Sequence, residues 1–283
     1  MQWKMREQTL STTAAVLNKI PIEQARKLDM LKLDWPMIAG LAIAIAATIA
    51  GIAATGVKAA YFLQPAGVLI VAGGTLGVTI LTTPLASLLH SAQRVAALVW
   101  TQDCDRRALV EQIMRIVKPA RSMGLVSIEP MIAGVENAFL RDSLLIMLDV
   151  KKRSDLHSAL EMKLRLTERQ GLADAKVLEV AGGFAPTIGV LGTVVGLIDV
   201  LRQFANLSSV AGGVGTAFVS TIYGLGLANL ILLPAAHRIH ARVAEAFETH
   251  EMIMEGVLCI FDSMHPSLVR ERLNFFVRKS ESK

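Results

Sequence analysis

The chain has 283 residues, 53% of them hydrophobic and 19% charged, with a mean hydropathy of +0.48. That is too apolar for a water-soluble domain of this length, so an integral membrane protein is predicted. A net charge of +5 could suggest nucleic acid, but Lys and Arg sit between the apolar runs, as the positive-inside rule requires, and no nucleic-acid partner is expected.

Residues 1–34 carry mixed charges and no apolar core with a small-residue cleavage site, so no signal peptide is read. Val16, Leu17, Ile20, Leu28 and Leu31 could line a helix lying on the membrane surface. Pro21 breaks that pattern, and an N-terminal extension without regular structure is the simpler reading. Uncharged runs then extend from Pro36 to Val57 and from Ala59 to Leu89, separated by Lys58. About 20 apolar residues, at about 1.5 Å each, cross a hydrocarbon core of about 30 Å, so residues 35–89 are predicted to form transmembrane helices 1 and 2. Gly73, Gly74 and Gly77 resemble part of a phosphate-binding loop. No Lys follows them, however, and small residues in a membrane helix serve packing.

Residues 90–179 are polar, helical in period and free of strand-like runs, and they hold fourteen of the 29 Lys and Arg residues. Two further uncharged spans, helices 3 and 4, lie within residues 180–236 and are joined by Asp199, Val200, Leu201 and Arg202. So short a connection forces a helical hairpin, and its glycines and hydroxyls predict close packing with a polar stripe. In residues 237–283, Ile239, Val243, Phe247, Ile253, Val257 and Ile260 fall on one side of an amphipathic helix ended by Pro266, and a shorter helix follows. The expected fold is an all-α integral membrane protein. It has four transmembrane helices and a helical cytoplasmic domain formed by the loop between helices 2 and 3 and the C-terminal tail. Positive charge places residues 1–34, 90–179 and 237–283 in the cytoplasm and both hairpin loops outside.

Little here points to an enzyme. Cys104 and Cys259 form no CxxC pair and read as reduced structural thiols. His237 and His240 share a helix face but lack carboxylates or cysteines at matching spacing, so neither a metal nor a cofactor is expected. No GxxxxGK[ST] loop occurs. A more telling absence is that of a carboxylate at membrane depth. Such a group costs about 2.5–3.5 kcal/mol to insert and is kept where ions are carried. Asp34 and Asp199 lie only at span ends. If ions cross here, another chain brings the titrating group, and Thr193, Ser220 and Thr221 could line a polar route beside it. The competing reading is that these hydroxyls bond back to their own helix or join two helices.

GGFAPTIGVLGTVVGLIDVL and GGVGTAFVSTIYGLGLANLILLP, preceded by ARSMGLVSIE at residues 120–129 and GVENAFLRDSLLIMLD and followed by HPSLVRERLNFF, resemble the MotA and PomA family of flagellar motor stator subunits. That family lies within the wider MotA/TolQ/ExbB group, and the resemblance covers nearly everything from Leu33 onward. It implies a homopentamer in the bacterial inner membrane around two copies of a single-span MotB- or PomB-like partner, whose aspartate binds the passing proton or sodium ion. It also implies torque delivered to the rotor protein FliG. On matching positions it implies an ion pathway at Thr193, Ser220 and Thr221, helix hinges at Pro186 and Pro234, and rotor contacts at Arg121 and Glu129. Two alternatives stay open: an ExbB/TolQ-like energiser, a group similar only in the paired final helices and having three spans, and the stator of a non-flagellar gliding motor. The departure from the family is the long segment before the first span, and Met30 is a candidate natural start.

Overall fold

The computed structural model describes residues 31–56, 59–98, 100–102, 105–202 and 207–281. The surface-helix reading of the first thirty residues, the Lys58 loop and Cys104 lie outside the described residues. A short strand, β1 (Leu31–Leu33), leads into α1 (Trp35–Ala54), where the Asp34 carboxylate accepts from the Met37 amide at 3.4 Å and caps the helix. The second apolar helix, α2 (Pro65–Thr82), contains a π turn at Leu69–Gly73. It stops at Thr82 rather than continuing towards Leu89. Thr83 is extended ahead of Pro84, as the ring of a following proline demands, and α3 (Leu85–Ala97) starts afresh beyond it. The segment expected to lack strands holds one, β2 (Trp100–Gln102), which pairs antiparallel with β1 so that Leu33 lies opposite Trp100.

The extramembrane domain begins with α4 (Arg106–Met123), α5 (Glu129–Ile132) and α6 (Ala138–Asp149). The third apolar span is the distal part of α7 (Arg153–Arg202), a single helix of 50 residues, so the boundary drawn at residue 180 falls inside continuous helix. The fourth span is α8 (Leu207–Gly226), which runs through a π turn at Leu227–Leu232 into α9 (Leu233–Phe261). Pro266 does not end α9. That helix stops at Phe261, Ser263 takes a positive φ of 51°, and Pro266 opens α10 (Pro266–Glu281). Among the described residues, four helices are thus long and apolar enough to cross a membrane.

The middle segment and the tail share one apolar core. Leu140, Leu144 and Met147 of α6, Leu156 and Leu160 of α7, Met252, Ile253 and Val257 of α9, and Leu273 of α10 are all fully buried there. Burying each such side chain contributes roughly 1.5–3 kcal/mol, so neither sequence half is a folding unit alone. One buried cation crosses this core. The Arg106 guanidinium, 7% exposed, donates to Thr249 Oγ1 at 3.2 Å and to the carbonyls of Glu245 and Phe276, both at 3.3 Å. It also donates to the Glu248 carboxylate at 3.2 Å. It therefore ties the start of α4 to both C-terminal helices. Arg106→Gln removes the buried guanidinium that joins Thr249, Glu248 and the two carbonyls, leaving Glu248 to Lys279 at 3.4 Å, and is expected to lower the stability of this domain by about 3 kcal/mol. Urea unfolding of the detergent-solubilised chain checks this, and a loss below about 1 kcal/mol would show that water replaces the guanidinium.

Candidate functional site

The paired helices α7 and α8 approach so closely that backbone meets backbone. A Cβ added at Gly224 would lie 2.5 Å from the Ala185 carbonyl oxygen and 3.1 Å from the Gly189 Cα. One added at Gly196 would lie 2.7 Å from the Ala217 nitrogen. The glycines are therefore what allows these two spans to touch, in place of an apolar driving force that lipid would not supply.

Along this seam the hydroxyls separate onto two flanks. Thr193 Oγ1 and Thr221 Oγ1 are 2.5 Å apart, and Thr193 Oγ1 also lies 3.1 Å from the Ala217 carbonyl and 3.2 Å from that of Gly189. Both threonines are half-buried, with exposed Val190, Phe218 and Leu225 on the same helices. Ser220 is fully buried on the side towards α2. There its hydroxyl donates to the Thr216 carbonyl at 2.7 Å, and the side chain fills the space left by Gly67 and Gly192. The structure thus joins Thr193 with Thr221 and does not place Ser220 beside them.

A threonine pair has a definite chemistry. If Thr193 spends its single proton on a carbonyl, the proton between the two hydroxyls is that of Thr221. In the other orientation Thr193 donates to Thr221 and releases the carbonyl. Either way oxygen lone pairs are available to a cation or water, and no group present can store a proton at this depth. The spans carry no Asp, Glu, Lys or Arg beside the pair.

Pro186 sits inside α7, where its missing N–H leaves the Gly182 carbonyl without a helical donor. Pro234 stands at the start of α9, directly after the π turn. The two are brought to one level by the contact of Gly182 with Leu232 and Leu233, where a Cβ on the glycine would meet the Leu233 side chain at 2.7 Å. Irregular helix and prolines together mark a place where the backbone ladder is already interrupted. Arg121, in the last turn of α4, and Glu129, the first residue of α5, are both exposed and stand apart from the membrane helices, with Met123 (69% exposed) and Val126 (76%) between them. Neither makes a side-chain hydrogen bond or ion pair among the described residues.

Sequence reasoning missed two further polar links. At the start of α2, Gln64 Oε1 accepts from the Thr216 hydroxyl at 3.2 Å, and the Tyr223 hydroxyl donates to the Phe62 carbonyl. At the other end of the spans, Asp34 pairs with Arg238 and with Arg242, the latter at 3.2 Å. The available signal was an i, i+4 pair of arginines just beyond the fourth span and one carboxylate just before the first.

Fold and site define a multi-pass membrane protein whose last two spans pair two threonine hydroxyls with no Asp, Glu, Lys or Arg beside them. Residues 132–252 match the model of the MotA/TolQ/ExbB proton channel family. It is 25% identical over 250 residues to Motility protein A of Bacillus subtilis, covering 87% of this chain and 91% of that protein. Chemotaxis protein PomA of Vibrio alginolyticus is 24% identical over 246 residues, covering 87% of this chain and 94% of its own length. The structure of the flagellar MotAB stator complex from Bacillus subtilis superposes with a TM-score of 0.77 at 25% identity, covering 83% of this chain and 93% of that one.

Proposed function

We propose that this chain is the stator subunit of a flagellar motor, which with a MotB-like partner couples ion flow across the bacterial inner membrane to rotation. The observation that carries this reading is the Thr193–Thr221 pair at membrane depth in a chain without its own carboxylate there, on the fold of a MotAB stator. Five copies surround two partner chains, and each partner brings the titrating aspartate to the threonine flank. The coupling ion is a proton or sodium, since hydroxyl oxygens accommodate either. The excess of Lys and Arg on the extramembrane domain supports its place in the cytoplasm. No cofactor or catalytic step enters this reading. The potential supplies about 2.3 kcal/mol per charge per 100 mV, so work is done in many small steps. Co-expression with the single-span partner, followed by native mass spectrometry in detergent, tests the assembly. A complex of five and two is expected, and a ring without partner would remove the source of the carboxylate.

Torque leaves the stator through Arg121 and Glu129, which contact the rotor protein FliG. Exposed charges that pair with none of the described residues, beside apolar Met123 and Val126, suit a contact that must form and release repeatedly, because screened charges steer encounter without holding it. Reversing both, Arg121→Glu with Glu129→Lys, is expected to reduce swimming speed several-fold at unchanged membrane abundance. Full torque in the tethered double variant would take the rotor contact away from these residues.

A further inference from the structure

α1 buries none of its residues, from Trp35 to Ala54, against the rest of the chain. Its specific attachment is concentrated at its N-terminus. Asp34 is 4% exposed and holds two guanidinium groups, those of Arg238 and Arg242. Arg242 also donates to the carbonyls of Ala97 at 3.0 Å and Leu98 at 2.7 Å, which close the C-terminal end of α3. Beneath this charge cluster Met37 packs on an apolar group that includes Leu98, Leu178, Ala236 and Ile239. The β1–β2 ribbon brings the backbone just before α1 beside that just after α3. Arg238 and Arg242 stand about one and two helical turns beyond Pro234.

We propose that Asp34 is a positioning residue, which fastens the first span and the end of α3 to the stretch of α9 just past Pro234, so that bending at this proline moves all three together. This rests on the stator reading given above. Two guanidinium groups on one buried carboxylate are the expected construction. Each arginine alone leaves the carboxylate underpaired, and without the carboxylate the arginines repel. The Arg238 hydrogen bond, with that of Arg242, holds the Asp34 carboxyl below its usual range against the opposing effect of burial. A carboxyl pKa lowered by folding contributes stability above the unfolded value of about 4 and loses it as pH falls through the folded value, so the attachment stays unchanged between about pH 8 and pH 5.

The test uses the full chain with its partner in cell membranes, with Cys104→Ser and Cys259→Ala removing native thiols and Met37→Cys with Leu232→Cys reporting on the joint, since both side chains pack on its apolar group. Asp34→Asn is expected to lower oxidative cross-linking of this pair about tenfold and to stop rotation, with the ring and its partner still recovered. Asp34→Glu restores both in part. Adding Arg242→Gln to Asp34→Asn should cost little more than Asp34→Asn alone, because the residues act as one unit. Unchanged cross-linking in Asp34→Asn would overturn the attachment, and lost cross-linking with normal rotation would overturn its part in movement. Should Asp34→Asn fail to accumulate, Arg238→Gln is read in the same assays, with the same outcomes deciding. Cross-linking needs no motor, so a chain that shows the attachment yet turns nothing would count against the stator reading instead.

Discussion

Replacing Thr193 and Thr221 together by valine is expected to leave an assembled complex that turns at least tenfold more slowly. The two hydroxyl oxygens are 2.5 Å apart, and valine keeps the shape of both side chains while removing both hydroxyls. Hydrogen bonds to charged groups contribute about 1.5–3 kcal/mol, and 1.4 kcal/mol is a factor of ten, so losing even one such contact to a passing cation or its water shell suffices. Thr193→Ser with Thr221→Ser keeps the oxygens and should retain most of the rate. Rotation of tethered cells at fixed load, alongside ion uptake by membranes, makes the measurement. Normal rotation in the double valine variant would show the pair to be a helix–helix joint only. Ser220→Ala is the informative companion. With its hydroxyl spent on the Thr216 carbonyl and its side chain against Gly67 and Gly192, it is expected to alter stability slightly and rate hardly at all.

Gly224→Leu is expected to lower the thermal midpoint of the detergent-solubilised complex by about 5–10 °C and to abolish swimming. A Cβ at this position lies 2.5 Å from a backbone carbonyl oxygen, which cannot rotate aside as a side chain can, so the two helices must move apart. Overpacking of a rigid site costs about 1–3 kcal/mol or more, and that range sets the expected shift. The same separation lengthens the Thr193–Thr221 contact, because both threonines lie on the seam that Gly224 keeps closed. Gly226→Ala, two residues along the same chain, meets nothing within 4 Å and provides the comparison. Equal midpoints for the two variants would mean that the seam opens without cost.

Both results turn on a distinction between kinds of information. Hydrophobicity and charge are local properties of a segment, so they can be read without knowing any contact. For that reason the four spans, the pairing of α7 with α8, the missing carboxylate and the bias of Lys and Arg were legible in the sequence, although Asp199, Val200, Leu201 and Arg202, read there as the connection, form the last turn of α7. The glycines of the hairpin were legible as packing residues for the same reason, since only close approach explains so many in one apolar run. Helix ends were harder. The stop at Thr82 depended on Pro84, which hydropathy alone does not register, and a 50-residue α7 crosses the boundary between polar and apolar composition without a break.

What the hydroxyls do was decided only by tertiary structure. Ser220 and Thr221 are neighbours in sequence, and a step of one residue on a helix turns the side chain by about 100°, enough to send one to α2 and the other to the Thr193 flank. The buried charges show the same limit more strongly. Asp34 meets Arg238 across 204 positions, and Arg106 meets Glu248 across 142. Such pairs form because desolvated charges must find partners, but which partner is available depends on the rotation and register of packed helices. The sequence therefore determined that this protein spans a membrane and lacks its own proton-binding group at depth. The packing of α7 on α8 and of α9 beneath α1 determined where its polar groups act.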